Sequence, residues 1–178
     1  MTTLIEYSNQ EKRPKSEKIV RFQDCDPLGH LNNAKYIHYI MNAREDNLIS
    51  YYGENLYEMA KKSNGAWVVA KNEISYIYPA LANEYIQIET ALIHVEKKSI
   101  VKEGIIYDRN RTHIKAVSRV HFSFVNLQGR PVSHSEELQK FLESIWYKEA
   151  SYKESNFNER ISILRKMIKE EKRNRNAA

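Results

Sequence analysis

The residues best suited to chemistry lie in one short stretch, residues 21–36, which reads RFQDCDPLGHLNNAKY. Two carboxylates, Asp24 and Asp26, stand one residue apart in a chain that holds only four aspartates. A Pro-x-Gly turn follows them, and then come His30 and two asparagines. A carboxylate can act as nucleophile or general base, and N–H groups at a helix start can stabilise a developing negative charge. The stretch therefore predicts a compact reactive corner.

Each of these residues also has a purely structural interpretation. Asp26 can form an Asx turn before Pro27, with its carboxylate bonded to nearby backbone N–H groups. His30 can orient Asp26, contact a ligand or simply fill the space before the helix. Asn32 or Asn33 can cap the helix, a role compatible with presenting free N–H groups. Cys25 is expected to be a packed thiol, because strand alternation would place it on the face opposite Asp24 and Asp26.

Composition limits the class of protein. The chain has 178 residues, enough for one domain with an appendage, and no apolar run of the roughly 18 residues that a membrane span needs. The polar first 17 residues do not resemble a signal peptide, so we expect a cytoplasmic protein. A single cysteine excludes an intramolecular disulfide, and the histidines show no metal-ligand spacing, so we expect no metal and no cofactor. The net charge is +5, and residues 148–178 carry nine Lys or Arg against five Glu.

The elements that position this corner can be read from the pattern of apolar residues. Residues 18–25 alternate as a short strand, which would put both aspartates at a strand end. Apolar residues at helical spacing over 34–52 predict a long central helix that ends at Gly53, and 54–63 resemble a shorter helix. Four runs rich in Val, Ile and aromatics, 67–77, 85–96, 99–107 and 112–127, predict strands.

Short polar connectors between those four strands predict antiparallel neighbours, because a parallel crossover needs a dozen or more residues. A helix is predicted over 135–147, followed by a charged helical tail. The apolar stripe of the long helix is the natural cover for one face of the sheet. The sequence thus predicts an α+β domain over 18–147, between a polar segment at 1–17 and a basic tail at 148–178.

A resemblance supports this architecture. Residues 24–29, DCDPLG, closely resemble the signature of 4-hydroxybenzoyl-CoA thioesterase-like proteins, and residues 29–36, GHLNNAKY, resemble the variant in acyl-CoA and acyl-carrier-protein thioesterases. The similarity extends, more weakly, to about residue 141 and leaves the tail outside. It implies the hotdog fold, a five-stranded antiparallel sheet wrapped around a long helix, here with a C-terminal helical extension.

The same resemblance implies site residues and a substrate. Asp26 takes the place of the family's nucleophile or general base, the N–H of Asn33 polarises the thioester carbonyl, and His30 is a further catalytic candidate. Acyl-CoA is the implied substrate, with CoA part of it rather than a cofactor. Substrate-binding candidates are Asn32, Tyr36 and the turn Lys97-Lys98-Ser99, where the family's basic turn binds CoA phosphates; a solvated turn is the alternative.

Other functions stay open at this stage. An acyl-carrier-protein thioesterase would share the chemistry, and a non-catalytic acyl-CoA-binding hotdog protein would keep the fold but not need Asp26. The basic tail suits a nucleic-acid partner, but it also holds Glu159, Glu170 and Glu171 and no recognition motif, so none is expected. Because one sheet leaves an exposed edge, we expect a homodimer or homotetramer with sites at the interface.

Overall fold

The computed structural model describes residues 11–150, 152–153 and 155–177, so most of the predicted N-terminal segment lies outside the described residues. Its strands are β1 (Lys15–Ile19), β2 (Gly65–Tyr76), β3 (Tyr85–Val95), β4 (Ser99–Asp108) and β5 (Ile114–Asn126). Its helices are α1 (Asn33–Tyr52), α2 (Leu56–Ser63), α3 (Glu136–Ser144) and α4 (Phe157–Ala177). The strands form one antiparallel sheet in the order β1-β3-β4-β5-β2. The predicted α+β fold class is confirmed.

Helix α1 covers one face of this sheet. The side chain of Asn32 caps its start by accepting from the N–H of Ala34, and Gly53 ends it with a positive φ of 67°. Buried residues from α1 and three strands form a shared apolar cluster: Tyr36, Ile40, Ala43, Ile86, Ile88, Ile106 and Ala116. On β4 the helix comes so close that a Cβ at Gly104 would collide with Ile40. The 34–52 helix prediction therefore holds to within one residue, and its role as the central helix is confirmed.

The first strand lies elsewhere than predicted. Instead of 18–25, the strand is β1, and its last residue, Ile19, pairs with Tyr85 at the start of β3. Beyond this point β3 offers no partner, and residues 22–24 close a 3-10 turn in which Cys25 N–H donates to Phe22 O. Phe22 is 78% exposed, so the apparent alternation does not mark a buried face. Asp24 thus ends the turn and Asp26 follows it, and the strand-alternation argument for Cys25 was wrong.

The opposite face of the sheet is covered by α4. Ile161, Leu164 and Ile168 of α4 pack against a buried patch made of Ile105, Tyr107, Ile114 and Val117. Arg160 at the helix start forms a two-pronged, buried ion pair with Glu103 of β4, through Nε at 2.9 Å and an Nη at 2.8 Å. The tail therefore ends in a helix that packs on its own sheet.

Candidate active site

The reactive corner is a tight loop that folds back on itself. Residues 24–26 run antiparallel to residues 30–32: Asp26 N–H donates to His30 O at 2.8 Å, and Asn32 N–H donates to Asp24 O at 2.9 Å. The turn between them is closed by Gly29 N–H on Asp26 O at 3.0 Å, and Gly29 adopts a φ of 76° that a side chain would strain. This pairing brings both aspartates beside the start of α1.

The Asp26 carboxylate is held in place by its own loop. Its Oδ1 accepts from the N–H of Leu28 at 2.9 Å and from the N–H of His30 at 3.1 Å. These are the bonds of an Asx turn, so the structural interpretation of Asp26 is correct for one oxygen. Its Oδ2 receives no hydrogen bond from any described residue, and the side chain is only half-buried. Oδ1 therefore fixes the orientation of the carboxylate, and Oδ2 keeps its capacity to accept a hydrogen bond.

An unused donor lies at the start of α1. The side-chain oxygen of Asn32 accepts a hydrogen bond from the N–H of Ala34 at 3.0 Å, and its backbone carbonyl accepts one from the N–H of Lys35 at 2.8 Å. The N–H of Asn33 has no acceptor among the described residues, and Asn33 is exposed. A helix N-terminus with a free N–H attracts a negatively charged oxygen. Asn32 thus caps the helix, and the N–H of Asn33 is left without an acceptor among the described residues.

Asp24 is already engaged. Its carboxylate forms an ion pair with Lys35 Nζ at 2.9 Å and accepts from the Tyr39 hydroxyl at 3.0 Å. The hydrogen bond from Lys35 is the main cause that lowers the pKa of Asp24. Neighbouring Cys25 packs against the apolar cluster and donates to Arg21 O, and partial burial raises the pKa of its thiol. Both residues support the loop, whereas Asp26 keeps a free oxygen.

His30 and Tyr36 are placed differently from one another. The backbone of His30, not its ring, bonds to Asp26, and the ring makes no hydrogen bond to a described residue. Tyr36 is 2% exposed, and its hydroxyl accepts from the N–H of Ala80 at 3.0 Å. Burial raises the pKa of Tyr36. Tyr36 therefore ties α1 to the loop before β3, and its hydroxyl faces the protein interior.

The basic turn Lys97-Lys98-Ser99 lies far from this corner in a single chain. The corner contacts the residues before β3, where Leu31 N–H donates to Ala80 O at 2.8 Å, whereas the turn follows the other end of β3. Eleven strand residues separate the two ends, or roughly 35 Å. Ser99 Oγ donates to Glu96 at 3.2 Å, and both lysines are exposed.

A second basic surface lies at the same end of the sheet as the corner. Arg165, Lys169 and Lys172 of α4 line an open groove of about 470 Å³ together with His113 and Tyr78. No described residue pairs with these three cations. Tyr78 is 52% exposed and lies two residues before Ala80, whose carbonyl contacts the corner. Sequence reasoning noted the basic tail but could not place it at this end of the sheet.

An apolar pocket of about 70 Å³ lies between part of α1 and the sheet. On α1 it is lined by Ile37, Ile40, Met41 and Arg44. Lys102 of β4 reaches the same pocket. Burial, and next the charge of Arg44, hold the pKa of Lys102 well below its usual range. Sequence reasoning missed this pair, although alternation with Ile100 and Gly104 places Lys102 on the helix-facing side of β4.

The described residues contain no cluster of three or more His, Cys, Asp or Glu side chains that could hold a metal ion. Within the same part of the chain, no helix is long and apolar enough to cross a membrane.

Comparison with known families decides what kind of protein this is. A family model described as the thioesterase-like superfamily matches residues 20–142, which include the whole corner, α1 and the sheet from β2 to β5. The chain belongs to the thioesterase-like superfamily. By this membership it is a thioester hydrolase, and the predicted family and enzyme class are confirmed.

Individual relatives agree with the family model. The chain is 26% identical over 127 residues to the long-chain acyl-CoA thioesterase FadM of Escherichia coli strain K12. The aligned region covers 71% of this chain and 94% of that protein. The crystal structure of the probable thioesterase YbaW from Escherichia coli matches with a TM-score of 0.65 at 24% identity, over 74% of this chain and 97% of that one. A thioesterase from Thermus thermophilus, solved with coenzyme A and Zn, matches with a TM-score of 0.61 at 22% identity, over 74% of this chain and 92% of that one. The hotdog prediction is thereby confirmed.

Proposed function

We propose that this thioesterase hydrolyses acyl-CoA to a free carboxylic acid and CoA, with Asp26 as nucleophile or general base. The proposal rests on the different surroundings of the two Asp26 carboxylate oxygens. Two backbone N–H groups donate hydrogen bonds to Oδ1, and Oδ2 has no hydrogen-bond partner among the described residues. A general base must be held rigidly and still reach its proton, and this arrangement meets both conditions. The acyl-CoA specificity of the FadM relative supports the choice of substrate.

The proposed reaction needs a carbonyl beside both groups. As a base, Asp26 takes a proton from water while the water oxygen bonds to the thioester carbon. As a nucleophile, its free oxygen bonds to that carbon instead, and water later cleaves the resulting anhydride. In both routes the carbonyl oxygen gains negative charge that the free N–H of Asn33 stabilises. The C–S bond then breaks, and the CoA thiolate leaves and takes up a proton.

Asp26→Asn tests the role of the carboxylate. The amide keeps the oxygen that accepts from Leu28 and His30 but removes the charge, so folding should be retained. We expect kcat to fall about a hundredfold or more, with a smaller change in KM. Asp24→Asn is the matched control, because it makes the same chemical change at a carboxylate that is already bonded to Lys35 and Tyr39. A fully active Asp26→Asn enzyme would refute the proposal and return His30 as the candidate base.

Recognition of the CoA phosphates can be assigned by charge reversal. The sequence favours Lys97 and Lys98, but the groove on α4 lies at the same end of the sheet as Asp26, whereas the lysine turn lies at the other end. We propose that the groove is the phosphate site of the same chain, and that the lysine turn can serve only a corner contributed by another copy. Arg165→Glu with Lys169→Glu should raise KM for acyl-CoA but not for a truncated thioester that lacks the nucleotide. The matched pair Lys97→Glu with Lys98→Glu shows which surface is used; a specific effect there alone would contradict the groove.

A further inference from the structure

The pocket between α1 and the sheet has an unusual inner end. Its walls include the apolar Ile37, Ile40 and Met41 of α1, and they become basic at Arg44 and Lys102. Arg44 lies eleven residues beyond Asn33 on the same helix, or roughly 16 Å along its axis. An acyl chain bound at Asn33 and running along α1 would therefore reach two cations at its far end.

Neither of these two cations forms an ion pair or a hydrogen bond with a described residue. Arg44 Nε is buried and makes no hydrogen bond, and its guanidinium lies over the Phe122 ring at 5.3 Å. No described residue forms an ion pair or hydrogen bond with Lys102. Unpaired charges in a mainly apolar pocket are costly, and proteins normally pair them.

The two acids beside this pocket, Glu103 and Glu45, are directed elsewhere. Glu103 lines the pocket, but its carboxylate is bonded to Arg160 on the opposite face of the sheet. Glu45 is the acid whose charge acts on Arg44, and it is exposed on the neighbouring helix position. The pocket itself thus contains two basic side chains, and no carboxylate among the residues that line it is free to pair with them.

A neutral donor completes the group. Thr90 also lines the pocket, and its hydroxyl accepts from the Asn47 side chain at 2.9 Å. A hydroxyl that accepts one bond can still donate its own proton. Thr90, Arg44 and Lys102 together offer the donors that a carboxylate accepts.

We propose that this pocket selects acyl groups with a carboxylate at the end distal to the thioester, which Arg44 and Lys102 bind. The inference rests on the proposed function, because it assumes that the acyl chain starts at Asn33. It deepens that function by naming the class of acyl group. Chains of intermediate length are favoured, since the carboxylate must pass Ile40 and Met41 before it reaches the cations.

Equilibrium binding tests the inference separately from catalysis. Calorimetry with the full chain compares two non-hydrolysable CoA thioethers of equal length, one ending in a carboxylate and one in a methyl group, over a series of lengths. We expect the carboxylate ligand to bind about tenfold or more tightly at the best length, as charge-assisted hydrogen bonds require. Equal affinities, or a preference for the methyl ligand, would overturn the inference even if both CoA esters are hydrolysed.

Variants locate the selectivity. Lys102→Met and Arg44→Met keep a long side chain but remove the charge, and each should reduce the ratio of the two affinities toward one. Lys61→Met, which makes the same change at an exposed position on α2, should leave the ratio as it is in the unmodified protein. A ratio that survives both pocket variants would place the carboxylate elsewhere and overturn the assignment. If a variant fails to fold, the comparison of the carboxylate and methyl ligands in the unmodified protein still tests the proposal. Loss of turnover alone, with the binding preference intact, would count against Asp26 and not against this pocket.

Discussion

Removing Arg160 should weaken the whole fold, because its partner is deeply buried. The Arg160 and Glu103 side chains are only 5% and 2% exposed, and two hydrogen bonds of 2.9 and 2.8 Å join them. Arg160→Met would leave the Glu103 carboxylate without this partner in a site closed by α4 and β4. Breaking a buried pair in this way costs about 3–5 kcal/mol of unfolding free energy. For a chain of this length that lowers Tm by roughly 6–20 °C.

The assay is urea unfolding followed by circular dichroism, with scanning calorimetry for Tm. Replacing both partners, Arg160→Met with Glu103→Met, should recover most of the loss, because no charge is then left buried. Lys140→Met is the matched control. It breaks the pair between Lys140 and Glu136, whose two side chains are 68% and 83% exposed respectively, and it should not measurably change the free energy of unfolding. A loss below about 1 kcal/mol for Arg160→Met would refute the reasoning.

Three further predictions follow from the fold. Gly104→Ala should cost about 1–3 kcal/mol in urea unfolding, because the new methyl group collides with Ile40; an unchanged midpoint would show that α1 can move away freely. The lowered pKa of Asp24 adds to the free energy of unfolding. This contribution is fully present above the unfolded-state pKa of about 4 and is lost as pH falls through the lower folded-state pKa. Asp24→Asn should therefore flatten the acid side of a plot of Tm against pH, and parallel curves would contradict this. The free edge of β2, with Val68 and Val69 exposed, should pair with a second copy, so light scattering should report at least a dimer and a stable active monomer would disprove it.

The fold was predictable because the sequence obeys simple periodicities. Strands β2 to β5 lie within two residues of the predicted runs, since each combines β-branched residues with polar turns. The start of α1 at the Asn32 cap and its end at Gly53 were also predictable from the sequence. The strand at 18–25 failed because short alternation does not reveal where a partner strand ends. Only the structure shows that β3 has no residue left to pair beyond Tyr85.

The candidate site was predictable in part. The motif identified Asp26, Asn32 and Asn33, but residue types cannot tell which carboxylate is already bonded. Asp24 is occupied by Lys35 and Tyr39, one of which lies fifteen residues away in sequence. Lys102 was readable in principle, since it interrupts an apolar strand on its inward face. Recognising its meaning required knowing that Arg44 lies opposite it, which depends on how α1 is rotated over the sheet.

The helix α4 has a consequence for how this chain behaves on dilution. It covers the apolar patch of Ile105, Tyr107 and Val117, yet it lies beyond residues 20–142, the part shared with the family. A chain without such a helix must make this patch polar or bury it against another molecule. Here the cover is tethered to the patch, so its effective concentration does not fall when the protein is diluted. Dilution can therefore separate copies that pair along β2, while the outer face of the sheet stays closed in every copy.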